Sequence, residues 1–368
     1  MITQALCFQD CIRIDNNIWF TSLDYNGLYR YNLDEKKTER IGDFTYEPFE
    51  QVGLFIKICR YKNNLIFVPQ YSKRIYIYII DIGIFKDIQI PKLTENLSGP
   101  YFFEAVVFEK YIYMMGAMYP GILKVNLETY EVEVIDWWLK KLQSEVRINT
   151  NELLLGREGA LQYNNFWIPC YQCNRVLEFN LETDEFHLHE VGRKENRYAR
   201  MIKSGDRFVL VTYNSEDICR IVFWDSSSGS YEEVQVDIKA CVDRCIIEFL
   251  DNIWLFSLSS NEIYCIDIRE KRIDFNSVPD VPKIGIEFAK AVNDGLFFFD
   301  YITQAWYKIN NLGAIEKIAE GIQEGLNKDE LEELFLKEVS KDKLIYENRY
   351  HSLEFLMKYV LNSGDNRV

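Results

Sequence analysis

Residues 164–191 read NNFWIPCYQCNRVLEFNLETDEFHLHEV and hold the chain's one CxxC spacing, Cys170 and Cys173, together with His187 and His189. Two thiols at that spacing can exchange with a disulfide or ligate a soft metal, and imidazoles commonly join thiolates around zinc. A closed zinc site takes four ligands, however, and there is no second CxxC. His187 and His189 alternate along FHLHE and so share one face of a strand. The turn from Asn180 to Glu185 is expected to hold them away from the hairpin tip that carries the thiols. No metal and no cofactor are therefore expected. Cys7 with Cys11, and Cys241 with Cys245, read as strand residues.

Other chemistry is spread along the chain. Glu104, Glu158, Asp243 and Glu287 sit at loop-to-strand junctions, where two converging carboxylates could serve as acid and base. Arg157, Arg197, Arg200 and Arg244 lie among them, and a guanidinium offers paired donors to carboxylate or phosphate. A tyrosine stands at or beside one hairpin in six of seven repeats: Tyr25, Tyr71, Tyr119, Tyr171, Tyr213 and Tyr301. Flat rings give large contact area at low entropy cost, so tyrosines around a charged mouth suit a peptide, a protein segment or a sugar. Tyrosine is abundant here, 24 in all, so part of this set is expected to be packing. There is no Gly-rich phosphate loop, no HExxH and no nucleophile elbow.

These residues need a frame, and repetition supplies it. NNIWFTSLDYNGLYRYNL, NNLIFVPQYSKRIYIYIID, KYIYMMGAMYPGILKVNL and NNFWIPCYQCNRVLEFNL share one layout, and DRFVLVTYNSEDICRIVFWD, DNIWLFSLSSNEIYCID and DGLFFFDYITQAWYKIN repeat it. Each has a polar turn, an apolar strand, a hairpin tip, an alternating strand, and an Asn or Asp before a charged turn. The polar turns begin at Asn17, Asn64, Lys110, Asn165, Asp206, Asp251 and Asp294, roughly 41 to 55 residues apart. That period belongs to four-stranded propeller blades. An apolar strand precedes each turn, as in CIRI, FIKICR and RYARMI. The expected fold is all-β, a seven-bladed β-propeller over residues 1–320. The closing Asx residues, Asn32, Asp81, Asn126, Asn180, Asp225, Asp267 and Asn310, are expected to cap the turn into the outer strand.

Two segments break the pattern. WWLKKLQSEVR, in the longest interval, reads as a short helix between blades 3 and 4. Past residue 320 the alternation stops. NKDELEELFLKEV opens with a capping box at Asn327 and Glu330, and Tyr346, Tyr350, Leu353, Met357, Val360 and Leu361 form a second helical stripe. Residues 321–368 are expected to be a C-terminal α-helical extension that packs on the propeller or on a partner.

The net charge of -15 over 368 residues repels phosphate backbones and anionic lipid, so no nucleic-acid partner is expected. No apolar run approaches a membrane span. The opening MITQALCFQDCIRIDNN has no basic segment followed by an apolar one, so no secretory signal is expected. Nine cysteines, an odd count mostly inside apolar strands, suit a reducing compartment. A cytoplasmic protein is expected.

The unit IWF…N-x-L-Y-R-Y-N-L-D resembles the blade of bacterial kelch-type propellers and that of streptogramin-lyase-like propellers, over about residues 4–318. The kelch Gly-Gly pair is represented only by Gly116 in YMMGAMYPG. The lyase likeness would imply histidines and a glutamate with magnesium in the central funnel, but His187 and His189 lie on an expected outermost strand and His351 in the tail. Kelch-type propellers include sialic acid epimerases, which implies an alternative. The expected function is a non-catalytic propeller binding a peptide, partner protein or carbohydrate ligand on the face of the hairpins between second and third strands. The alternative is a sugar-processing enzyme using the funnel carboxylates and arginines.

Overall fold

Burial along the strands follows their place in a stack. Second strands such as NLIFVP (Asn64–Pro69) and YIYMMG (Tyr111–Gly116) are buried almost throughout, because both faces of the sheet are covered. Outer strands such as IFKDIQ (Ile84–Gln89) carry only half-buried and exposed residues. In this computed structural model the described residues run from 8 to 320, apart from 24–25, 33, 36, 49–50, 94–96, 98, 213–218, 237–245, 257–260, 279–283, 293–294, 301 and 304. Among them, twenty-eight strands form seven four-stranded antiparallel sheets, each a simple meander. The protein is a seven-bladed β-propeller. Blades 1 to 7 occupy 11–42, 55–89, 102–135, 160–190, 198–236, 246–277 and 286–320. Every blade takes its strands from one continuous stretch. The helical extension expected for 321–368 lies outside the described residues.

Blade 1 falls in one compact unit that ends at Leu54, and blades 2 to 7 form a second, Phe55–Glu320. Inside blade 1, the buried Phe20 lies between Phe8 and Tyr29, with ring centroids 5.2 and 5.6 Å away. In the second unit the apolar core is divided into slabs between consecutive blades. Ile66, Ile77, Met114 and Leu123 fill the slab between blades 2 and 3, and Trp167, Met201, Phe208 and Trp224 that between blades 4 and 5. The expected helix spans Trp137–Glu145. It drives Trp138 and Leu142, both fully buried, into the slab between blades 3 and 4.

The Asx caps form as expected in six blades. Asn126 Oδ1 accepts the backbone N–H groups of Glu128 and Thr129 at 2.9 and 3.2 Å. Equivalent pairs of bonds recur at Asn32, Asn180, Asp225 and Asp267, and Asn310 accepts the N–H groups of Leu312 and Ala314. Blade 2 differs. Its Asn64 pairs with Ile79, and Gly83 N–H bonds Ile79 O as Tyr130 N–H bonds Asn126 O in blade 3. Ile79 thus holds the capping place, and Asp81 instead accepts the side-chain amide of Asn63.

Candidate functional site

In a propeller the first strand of each blade lies nearest the axis. Residues that open those strands line the mouth of the channel. In blades 2, 3, 5 and 7 these openings share one irregularity. Phe55 and Lys57 oppose the consecutive residues Pro69 and Val68, which leaves Ile56 over. Phe103 is left over between Phe102 and Glu104, and Ala199 between Tyr198 and Arg200. Such a bulge re-aims the side chain that follows it. Lys57, Glu104 and Arg200 consequently stand at one level on three inner strands.

Ion pairs across blade boundaries result. Lys57 of blade 2 bonds Glu104 of blade 3, which also accepts the Ala105 N–H at 2.8 Å. Arg200 of blade 5 donates to Glu158, just ahead of blade 4, at 3.0 Å, and the two backbones form an isolated parallel bridge. The Arg157 guanidinium lies 4.8 Å from the Phe103 ring centroid, a cation–π contact between blades 3 and 4. Glu158 binds its proton more tightly than an ordinary glutamate. Desolvation is the main cause and the nearby Glu104 charge adds to it, so these outweigh the opposing pull of Arg200 and Lys57.

A backbone belt ties the hairpins to the loops that lead into the inner strands. Tyr101 N–H bonds Gln70 O, Ala117 N–H bonds Tyr101 O, Leu154 N–H bonds Ala117 O, and Tyr171 N–H bonds Leu154 O, at 2.6 to 2.8 Å. This places the hairpin tips of blades 2, 3 and 4 and the loops leading into blades 3 and 4 on one face. Glycines permit the closest approaches: a Cβ at Gly116 would strike the carbonyls of Tyr119 and Gly121, and one at Gly156 that of Ala199.

The expected tyrosine ring divides on this belt. Tyr71 is 40% exposed at the blade 2 tip, and Tyr171 is half-buried. Tyr119 is the correction. It is buried, its hydroxyl donates to Pro91 O at 3.0 Å, and it packs on Phe102, so it supports the hairpin from within and offers no ring to a ligand. The wall of apolar neighbours pushes its hydroxyl pKa upward. Tyr25, Tyr213, Tyr301, Asp243, Arg244 and the side chain of Glu287 lie outside the described residues. Arg197 is exposed in the loop leading into blade 5.

The histidines also differ from expectation. Antiparallel return of the outer strand brings His189 opposite Val176, one step from the hairpin tip rather than at the far end. The pleat nevertheless separates it from the thiols. His189 bonds Glu178 at 2.8 Å and lies against Trp167 and Trp224, in the slab toward blade 5. Cys170 and Cys173 belong to the slab toward blade 3.

Sequence reasoning missed Lys57, Phe103 and the belt. The first two carry a signal: Phe55-Ile56-Lys57, Phe102-Phe103-Glu104 and Tyr198-Ala199-Arg200 repeat an aromatic, a spacer and a charge. The belt joins main-chain groups and leaves no mark on side-chain identity.

No family model matches the chain, and no curated protein matches it in sequence. Solved structures do resemble it. A catalytically inactive histidine variant of virginiamycin B lyase from Staphylococcus aureus, solved with quinupristin, aligns with a TM-score of 0.60 at 13% identity, covering 82% of this chain and 95% of that one. BamB from Moraxella catarrhalis aligns at 0.56 and 10%, covering 78% and 79%. PorZ of Porphyromonas gingivalis, described as an essential surface component of the type-IX secretion system, aligns at 0.53 and 9%, covering 87% of this chain and 39% of that one. Both described histidines of the present chain lie on the outermost strand of blade 4, away from the channel. What the chain shares with these proteins is the propeller architecture.

Proposed function

We propose that this protein is a non-catalytic, cytoplasmic propeller that binds a peptide or a segment of a partner protein on the face of the backbone belt. One observation carries the reading: the two described carboxylates at the channel mouth are each held by a cation of a neighbouring blade, Glu104 by Lys57 and Glu158 by Arg200. A carboxylate so engaged serves as a joint between blades and is poorly placed to exchange protons with a substrate. The same face presents apolar and aromatic contact surface in Tyr71, Leu93 and Ile302, with Arg197 nearby in sequence to the mouth. PorZ, which shares the architecture, works as a component of a larger assembly. The six described cysteines are free thiols, in keeping with a reducing compartment.

A second reading, a sugar-processing enzyme, draws on the tightened proton of Glu158 beside Glu104, the property of a general acid. One experiment separates the two. Peptides selected from a displayed library on the wild-type protein are titrated against Tyr71→Ala, Arg197→Ala and Glu158→Gln, with a glycan array in parallel. Binding through this face predicts about a tenfold loss for Tyr71→Ala or Arg197→Ala and none for Glu158→Gln. Unchanged peptide affinity in both face variants overturns the proposal. Sugar turnover abolished in Glu158→Gln establishes the second reading instead.

A further inference from the structure

We propose that Cys170 and Cys173 are a thiol–disulfide exchange site that forms a reversible disulfide with a small disulfide of the glutathione class as oxidant. The two cysteines bound the Tyr171–Gln172 tip of the blade 4 hairpin, and their side chains lie in one slab, near enough for each thiol to shift the other's pKa. The tip is clamped on every side. Cys170 N–H bonds Arg175 O and Tyr171 N–H bonds Leu154 O, both at 2.8 Å, and Leu155 forms a β-bridge with Cys170. The Gln172 amide donates to Asn149 O at 2.7 Å and Leu153 O at 2.9 Å, and its Oε1 accepts the Asn149 N–H at 2.8 Å. The two cysteines are thus carried by a backbone that has little freedom to part them.

Burial and charge set the order of attack. Cys173 is 8% exposed and Cys170 is fully buried. The Cys173 thiol is more acidic than an ordinary cysteine: the Cys170 hydrogen bond is the main cause, the Arg175 N–H and the Arg175 and Arg197 charges assist, and partial burial opposes. The Cys170 thiol is shifted the other way, by the same hydrogen bond and by burial. Cys173 as thiolate attacks one sulfur of the oxidant. The oxidant's S–S bond breaks, and one glutathione leaves as thiolate to take the proton Cys173 released. Cys170 then loses its proton and attacks the Cys173 sulfur of the mixed disulfide. The second glutathione thiolate departs and takes that proton. Two protein thiols become one disulfide, and one glutathione disulfide becomes two glutathiones. Tyr171 lies between the linked residues, so the exchange acts on the belt at one of its own hydrogen-bonded positions.

The test uses the full-length native protein equilibrated with glutathione and glutathione disulfide at graded ratios, acid-quenched, alkylated and digested with trypsin. Cleavage after Arg157 and Arg175 leaves Cys170 and Cys173 as the only cysteines of peptide 158–175. The expected result is loss of two hydrogens from that peptide at oxidising ratios, reversed by reductant. Cys170→Ser, which cannot resolve, should accumulate a glutathione adduct on Cys173, while Cys173→Ser should leave Cys170 unmodified. Circular dichroism checks that both variants are folded. A peptide that stays doubly alkylated at every ratio overturns the proposal, as does oxidation seen only after denaturation or an adduct on Cys170 in Cys173→Ser.

Discussion

Arg200 reaches across from blade 5 to bond Glu158 at 3.0 Å, while the backbones of the same two residues pair as a parallel bridge. The Arg200 side chain is 12% exposed and that of Glu158 31%, so the pair is largely withdrawn from water. Arg200→Ala leaves the carboxylate desolvated and unpaired, and is expected to cost about 2 kcal/mol in urea unfolding at neutral pH. Glu158 also gives a slope. Its folded carboxyl holds its proton above the ordinary glutamate value, so between those two values the folded state binds more protons than the unfolded. Its contribution to stability therefore falls as pH rises through that window. Glu158→Gln should gain on wild type as pH increases over the same window, and parallel profiles would refute the assignment.

Asp225 has the opposite slope. Its carboxylate accepts the hydroxyls of Ser227 and Ser228 at 2.7 and 2.9 Å and the Ser227 N–H at 2.9 Å. The Ser227 hydroxyl, then that of Ser228, pull its pKa down to about 2. The contribution is complete above the ordinary aspartate value and is lost as pH falls toward 2. Asp225→Asn should flatten that part of the acid-unfolding curve followed by circular dichroism.

Gly116→Ala should cost about 1–3 kcal/mol or more, because its Cβ strikes two backbone carbonyls of its own hairpin that cannot swing aside. Gly229 is the control. It has φ 73° and nothing within 4 Å of a built Cβ, so Gly229→Ala carries only backbone strain, about 1 kcal/mol. Equal losses in thermal unfolding would show that crowding at Gly116 relaxes freely.

The two tyrosines of neighbouring hairpins should separate in a stability measurement. Tyr119→Phe removes the bond to Pro91 O and should cost about 1 kcal/mol, whereas Tyr119→Ala empties a core position and should cost about 3–5 kcal/mol. Tyr71→Ala should stay within about 0.5 kcal/mol of wild type, since its ring is largely at the surface. A large loss in Tyr71→Ala would place that ring in the packing.

The repeat itself determined the blades. Strand periodicity, the interval between polar turns and the Asx caps are local properties, set within about one hairpin of chain, and each was legible residue by residue. The helix at Trp137 was equally plain from its break in alternation. Even so, the cap of blade 2 was read two residues late, because IYIYIID offers an Asp where only pairing with Asn64 shows that Ile79 closes the turn. The tertiary structure alone decided which side chains meet. Glu158 and Arg200 are far apart along the chain and converge because a bulge at Ala199 turns one strand toward the next. Tyr119 and Tyr71 occupy similar places in their repeats, yet one is buried with its hydroxyl bonded to Pro91 O and the other is exposed. His189 and Cys173 approach in the ladder but face opposite slabs. Local sequence fixes the period of side chains on a strand, whereas the blade-to-blade approach that selects partners is a sum over many distant contacts that no short window contains.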